Sequence, residues 1–306
     1  MIETSYHKNS GSFGVLSPVY ISVFGILSAI ILGTIYAYAV FYIPFIYLNF
    51  LLTLGLGLVL GNIIGFAGKI GKARNKKLML VSGIVVGLIS LYVAWAAWIL
   101  ALSGHQALVL SPVILIQVLG EVGKEGVWSM FGYTPTGVVL YAIWLIEAGM
   151  IVWFTVVACK DFMGETPFCE RCSCWAEEKF EIWPLSLPED PEQVREQMEH
   201  GELDGLKALS PQPEGTAAYS SLTLRSCPSC EESRFLTFKL ASTEVDSEGE
   251  ATKNEVTVAE NLILSSGQHR QLQEHWMSGA EAEPEPANEQ ALDGESPVEE
   301  QVDVDQ

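Results

Sequence analysis

Residues 18–68 contain no charged side chain. As a single helix this run would reach about 75 Å at about 1.5 Å per residue, against a bilayer hydrocarbon core of about 30 Å. It must double back. The segment 41–49 is the place, because Pro44 breaks a helix and Asn49 can satisfy backbone groups that the break frees. Two spans follow, 18–40 and 46–68. Further apolar runs at 78–102 and 138–158 predict a third and a fourth. Residues 1–17 are polar, and no small-residue cleavage pattern follows the first apolar run, so that run reads as a retained span and not a removed signal peptide.

Orientation follows from lysine and arginine. The loop KIGKARNKK at 69–77 carries five cations, the first turn none, and the loop 103–137 only Lys124. Positive loops stay on the cytoplasmic side. Four spans then place both termini in the cytoplasm, with the chain in the plasma or inner membrane, and Lys160 agrees. Charge also divides the chain. Through Lys160 the formal charge is +4, and from Asp161 onward it is −24. A split this abrupt marks lipid and water as two solvents. The acidic half lacks the basic footprint that nucleic-acid binding requires, and its charge keeps it off anionic lipid.

Within the spans, Gly55, Gly57, Gly61 and Gly65, then Gly83 and Gly87, form smooth stripes that let backbones approach. The stripes serve helix packing, a dimer seam or a flexible gate. In the loop 103–137, Ser111 and Pro112 read as a cap and first helical position, too short a helix to span, with Trp128 and Phe131 as interfacial anchors. Glu147 lies near the middle of the fourth span. An acid there either forms a proton or cation site or is protonated and bonded to a neighbour such as Ser82, Ser90 or Asn62.

Beyond the membrane half, strands are expected at 179–185, 219–225, 235–240 and 256–264, with a turn at 247–249. A helix is expected from Pro191 to about residue 209, breakable at Gly201, and a closing helix at 268–277. These place an α+β domain at 161–278. The tail 279–306 is acidic, lacks basic and aromatic residues, and is expected to be disordered.

Five of the six cysteines follow the last span: Cys169, Cys172, Cys174, Cys227 and Cys230. A reducing cytoplasm disfavours structural disulfides. Two C-x-x-C pairs supply four thiolates, the number a tetrahedral structural zinc site takes. Cys174 could replace Cys172 in that set. Thiol redox exchange is the competing chemistry, with Pro228, Arg225 and Arg234 near the second pair, but the strand-to-helix setting of a thioredoxin-like motif is missing. His105, His200, His269 and His275 are scattered and read as surface residues. No catalytic triad, HExxH or phosphate-binding glycine loop occurs.

With strands on either side of the second pair, residues 165–264 resemble a zinc ribbon. That resemblance implies one structural Zn²⁺ held by Cys169, Cys172, Cys227 and Cys230. The 54 residues between the pairs exceed the spacing of roughly 15–20 usual for such motifs. A helix and its linkers must be inserted between the knuckles. The function expected is a membrane-tethered interaction or scaffold protein that recruits a protein partner. The alternatives are a small transporter or channel with Glu147 in its path, and a membrane-anchored thiol-disulfide oxidoreductase.

Overall fold

The computed structural model describes residues 6–43, 45–126, 134–162, 166–230, 232–245 and 251–280. Trp128, Phe131, the 247–249 turn and all but the first two residues of the acidic tail lie outside them.

Among the described residues, four helices are long and apolar enough to cross a membrane: α1 (Ser17–Tyr42), α2 (Ile46–Ile70), α3 (Lys76–Leu102) and α5 (Gly137–Asp161). Glycines bring them together. A Cβ on Gly61 would stand 2.5 Å from the Thr155 carbonyl oxygen, and one on Gly57 2.9 Å from that of Ile151, so α2 lies backbone against α5. Gly33 meets the Ser90 carbonyl in the same way across α1 and α3, and Gly83 and Gly87 receive Val156 and Val152. Both stripes are therefore occupied by α5, while Gly55 meets nothing within 4 Å. Close approach of small residues is how helices pack where lipid tails leave no hydrophobic effect to join them.

Between α3 and α5 the chain forms α4 (Pro112–Glu125), whose Ser111 hydroxyl makes no capping bond. At 14 residues it reaches about 21 Å, too little to span. Tyr141 Oη on α5 holds it through the Gly120 carbonyl at 2.9 Å.

The remaining chain forms a two-residue ribbon of β1 (Phe168–Cys169) and β2 (Cys174–Trp175), then β3 (Glu178–Leu185), α6 (Pro191–Glu199), α7 (Asp204–Lys207), β4 (Ala218–Ser226), β5 (Arg234–Val245), β6 (Ala251–Leu264) and α8 (Ser266–Ala280). Strands β3 to β6 make one antiparallel sheet in chain order. The helix expected to run to residue 209 is two, α6 and α7, separated at Gly201, which takes φ +83°. Asp190 opens α6 by accepting from the backbone N–H groups of Glu192 and Gln193.

Alternate strand residues face one way. Leu222 opposes Phe238 and Leu224 opposes Leu236, and all four are fully buried in a core shared with Val194, Met198, Leu206, Leu272 and Trp276 of the helices. Burying each such side chain contributes roughly 1.5–3 kcal/mol.

The N-terminal segment is structured as well. Tyr6 bridges to Leu262 on the outer edge of β6, the His7 N–H donates to the Asn261 carbonyl at 2.9 Å, and Tyr6 Oη donates to Glu199 at 2.7 Å. It joins the sheet to the start of α1 and shields part of an open strand edge.

Candidate metal centre

The first knuckle is the turn between β1 and β2, where Cys169 pairs with Cys174 and Phe168 with Trp175. The turn closes with Ser173 at φ +52°, and the Cys172 N–H points to Cys169 Sγ at 3.4 Å. The second knuckle is the connection between β4 and β5. There the Ser229 N–H points to Cys227 Sγ at 3.4 Å, and the Cys227 N–H donates to the Ser233 carbonyl at 3.0 Å. Each knuckle is thus built from backbone hydrogen bonds that turn its sulfurs the same way.

The fold brings the two together. The sulfurs of Cys169, Cys172, Cys227 and Cys230 all lie within 4.8 Å of one another, and these four could hold a metal ion. Cys169 Sγ and Cys230 Sγ are 3.7 Å apart. Sulfurs bound tetrahedrally at about 2.3 Å from zinc stand about 3.8 Å from each other, so the spacing suits a metal. It is far beyond the roughly 2.05 Å of a disulfide, and all six cysteines are free thiols. The donor set fits a closed four-thiolate site.

Local donors favour the ionised sulfur that a metal needs. The backbone N–H groups of Ser233 and Glu232 pull the Cys230 thiol down to about 6. Its neighbour Cys172 is pushed up, first by its hydrogen bond to Cys230 and then by burial. The pair therefore loses its first proton at the Cys230 end. The Ser233 hydroxyl donates to Cys169 Sγ at 3.1 Å, a supporting contact beyond the four sulfurs. Arg171 of the first knuckle pairs with Glu232 beside the second, an exposed pair that adds little.

Cys174 stands outside the group of four, but its sulfur is 3.4 Å from Cys227 Sγ. The site is four thiols with a fifth at its rim.

Several bonds fasten the first knuckle to the helix bundle. Trp175 Nε1 donates to the Lys69 carbonyl, Lys69 pairs with Glu177 at 3.1 Å, and Arg74 pairs with Glu170 at 2.9 Å. Arg74 is 9 % exposed, lies over the Phe168 ring at 4.1 Å and donates to Ser12 Oγ at 2.6 Å. The basic loop and the cysteine centre therefore share one end of the bundle. Nothing local in the sequence marks Arg74 as the link between N-terminus, loop and knuckle.

Glu147 has partners other than those expected. Ser82, Ser90 and Asn62 do not reach it; Asn62 instead donates to the Leu58 carbonyl of its own helix. Tyr36 Oη donates to Glu147 Oε1, and the same phenol shares a hydrogen bond of 2.9 Å with Thr53 Oγ1. One polar chain thereby joins the three apolar helices α1, α2 and α5. Glu147 is thereby paired with a residue in the second half of α1, which in turn bonds one near the start of α2. His269, expected at the surface, is buried at 4 % exposure against Arg234.

No protein-family model, curated protein or solved structure matches this chain.

Proposed function

We propose that the chain is a multi-pass membrane protein whose cytoplasmic, zinc-ribbon-like domain is held by one structural Zn²⁺ and acts as a tethered interaction or scaffold module. The observation that carries this reading is the meeting of four thiols from two knuckles far apart in sequence. Four thiolates fill a tetrahedral zinc, leaving no position for substrate, so the ion would contribute folding energy. Function then belongs to surfaces. The cytoplasmic assignment rests on the five cations of residues 69–77, which share an end of the bundle with the cysteine centre.

The test is metal analysis of the purified full chain, followed by chelation. About one zinc per chain is expected, and its removal should unfold the sheet region while the spans keep their helical signal. A chain that carries no metal and cycles its cysteines with mild oxidant would transfer the reading to a thiol-disulfide oxidoreductase. For Glu147, the hydrogen bond from Tyr36, whose phenol also bonds Thr53, supports a brace between helices over a transport path.

A further inference from the structure

A cleft of about 890 Å³ opens where the N-terminal segment, the basic loop and the outer edge of β6 meet. Lys8, Lys76 and Lys77 line it, with Arg74, and among the described residues Glu260 is the one carboxylate on its wall. Arg74 is committed to Glu170 and Ser12. Among the described residues no ion pair is made with Lys8, Lys76 or Lys77. Among the described residues the cleft therefore sets three ammonium groups without an ion-pair partner against one carboxylate.

Its level relative to the bilayer follows from helix length. The 27 residues of α3 extend about 40 Å, roughly 10 Å beyond a hydrocarbon core of about 30 Å. Lys76 and Lys77 form the first turn of that helix, and α2 ends at Ile70. The cleft thus lies in the headgroup layer. The N-terminus of α3 adds partial positive charge. It adds few free donors, because Asn75 Oδ1 already accepts from the N–H groups of Lys77 and Leu78. Both the sign of the charge and the volume suit an organic phosphate.

We propose that this cleft binds a phosphate ester, such as the headgroup of an anionic lipid from the adjoining leaflet. The acidic sheet region repels an anionic surface as a whole. Lysines supplied by the N-terminal segment and the membrane loop create a local exception at the seam. The inference is independent of the metal, and its failure would leave the zinc reading standing.

The test uses the full chain in nanodiscs of phosphatidylcholine, with or without phosphatidylglycerol, read by native mass spectrometry of retained lipid and by unfolding temperature. Phosphatidylglycerol should be retained selectively and should raise the unfolding temperature. The triple variant Lys8→Gln, Lys76→Gln, Lys77→Gln should lose about fivefold in affinity per lysine removed. Lys72→Gln, in the same loop but off the cleft, should match the parent. A parallel arm adds glycerol 3-phosphate to phosphatidylcholine discs; stabilisation there that the triple variant abolishes supports the same site with a soluble source. If the triple variant does not insert, Lys8→Gln alone, outside the loop, must show the fivefold loss. Equal loss in Lys72→Gln would mean diffuse attraction by the loop and would overturn the proposal, as would indifference to both phosphates.

Discussion

Trp175 Nε1 donates to the carbonyl oxygen of Lys69 at 2.8 Å, so the residue that closes the first cysteine knuckle also holds the end of α2. The bond spans the boundary between apolar bundle and acidic sheet region. It makes the knuckle's position depend on the bundle and not only on its own sulfurs.

Replacing Trp175 with Phe keeps the ring against Phe168, 4.9 Å away, and removes only the N–H. The loss should cost about 1 kcal/mol. Hydrogen–deuterium exchange should then accelerate about fivefold over residues 168–177, with the metal content unchanged. Unaltered exchange would mean that contacts other than this bond, such as the Lys69–Glu177 and Arg74–Glu170 pairs, hold the knuckle to the bundle.

Substituting the cysteines one at a time separates ligands from bystander. Cys169→Ser, Cys172→Ser, Cys227→Ser and Cys230→Ser should each take the stoichiometry from about one ion per chain toward zero. Cys174→Ser should keep the ion, because its sulfur lies beside Cys227 and outside the group of four. Elemental analysis of purified chains decides it. Retention in Cys172→Ser with loss in Cys174→Ser would exchange the two roles.

How much of this was legible in the sequence depends on whether the signal is local. The charge-free run and its glycines announce the spans, and period-two alternation announces β5 and β6, because burial acts on neighbouring residues of one element. The C-x-x-C pairs are legible because metal chemistry restricts spacing. Partnerships between distant segments leave no such mark. Residues 6–12 read only as part of a polar N-terminal segment, yet Tyr6 joins β6 and Ser12 holds Arg74. Glu147 could be recognised as an acid in need of a partner, but which partner depends on the rotation of three helices, and no spacing rule encodes that. His269 looked like a surface residue because its cover comes from a strand 35 positions away.

The glycine contacts predict opposite outcomes for two substitutions in one helix. Gly61→Ala drives a methyl to within 2.6 Å of the Ala158 Cβ and 2.5 Å of the Thr155 carbonyl oxygen. Because α2 must then move off α5, the expected cost is about 1–3 kcal/mol. Gly55→Ala meets nothing within 4 Å and should be neutral, or more stable by up to about 1 kcal/mol through reduced unfolded-state freedom. Thermal unfolding in one detergent compares them directly. A smaller effect at Gly61 than at Gly55 would contradict the packing of α2 on α5.

The Tyr36–Glu147 bond is tested by a pair of variants. Glu147→Gln keeps an acceptor oxygen for the Tyr36 phenol and should change stability by less than about 1 kcal/mol. Tyr36→Phe removes the donor and leaves a carboxyl group and Thr53 without their shared partner, at a cost of about 1–3 kcal/mol. Ion flux through reconstituted vesicles should be unaffected by Glu147→Gln if the acid is a brace. A flux that this change abolishes would restore the transport reading.

The pH dependence of stability should carry the signature of His269. Its Nδ1 lies 3.4 Å from Arg234 Nη1, and a guanidinium has no acceptor, so Nδ1 must be the unprotonated nitrogen. Burial first, and then the Arg234 charge, hold the imidazole down to about 4 from its ordinary 6.5, against an opposing pull from Glu178. Between those values the unfolded chain takes up a proton that the folded chain refuses. The neutral imidazole's contribution is therefore complete above about pH 6.5, shrinks as pH falls, and levels off below about pH 4. From about pH 7 to about pH 5 the loss should be about 2 kcal/mol. Other carboxylates titrate toward the lower end of this range, so the comparison is with His269→Gln, which should be flatter than the parent by that amount in urea unfolding of the detergent-solubilised chain. Parallel curves for the two would show that the imidazole titrates normally in the folded protein.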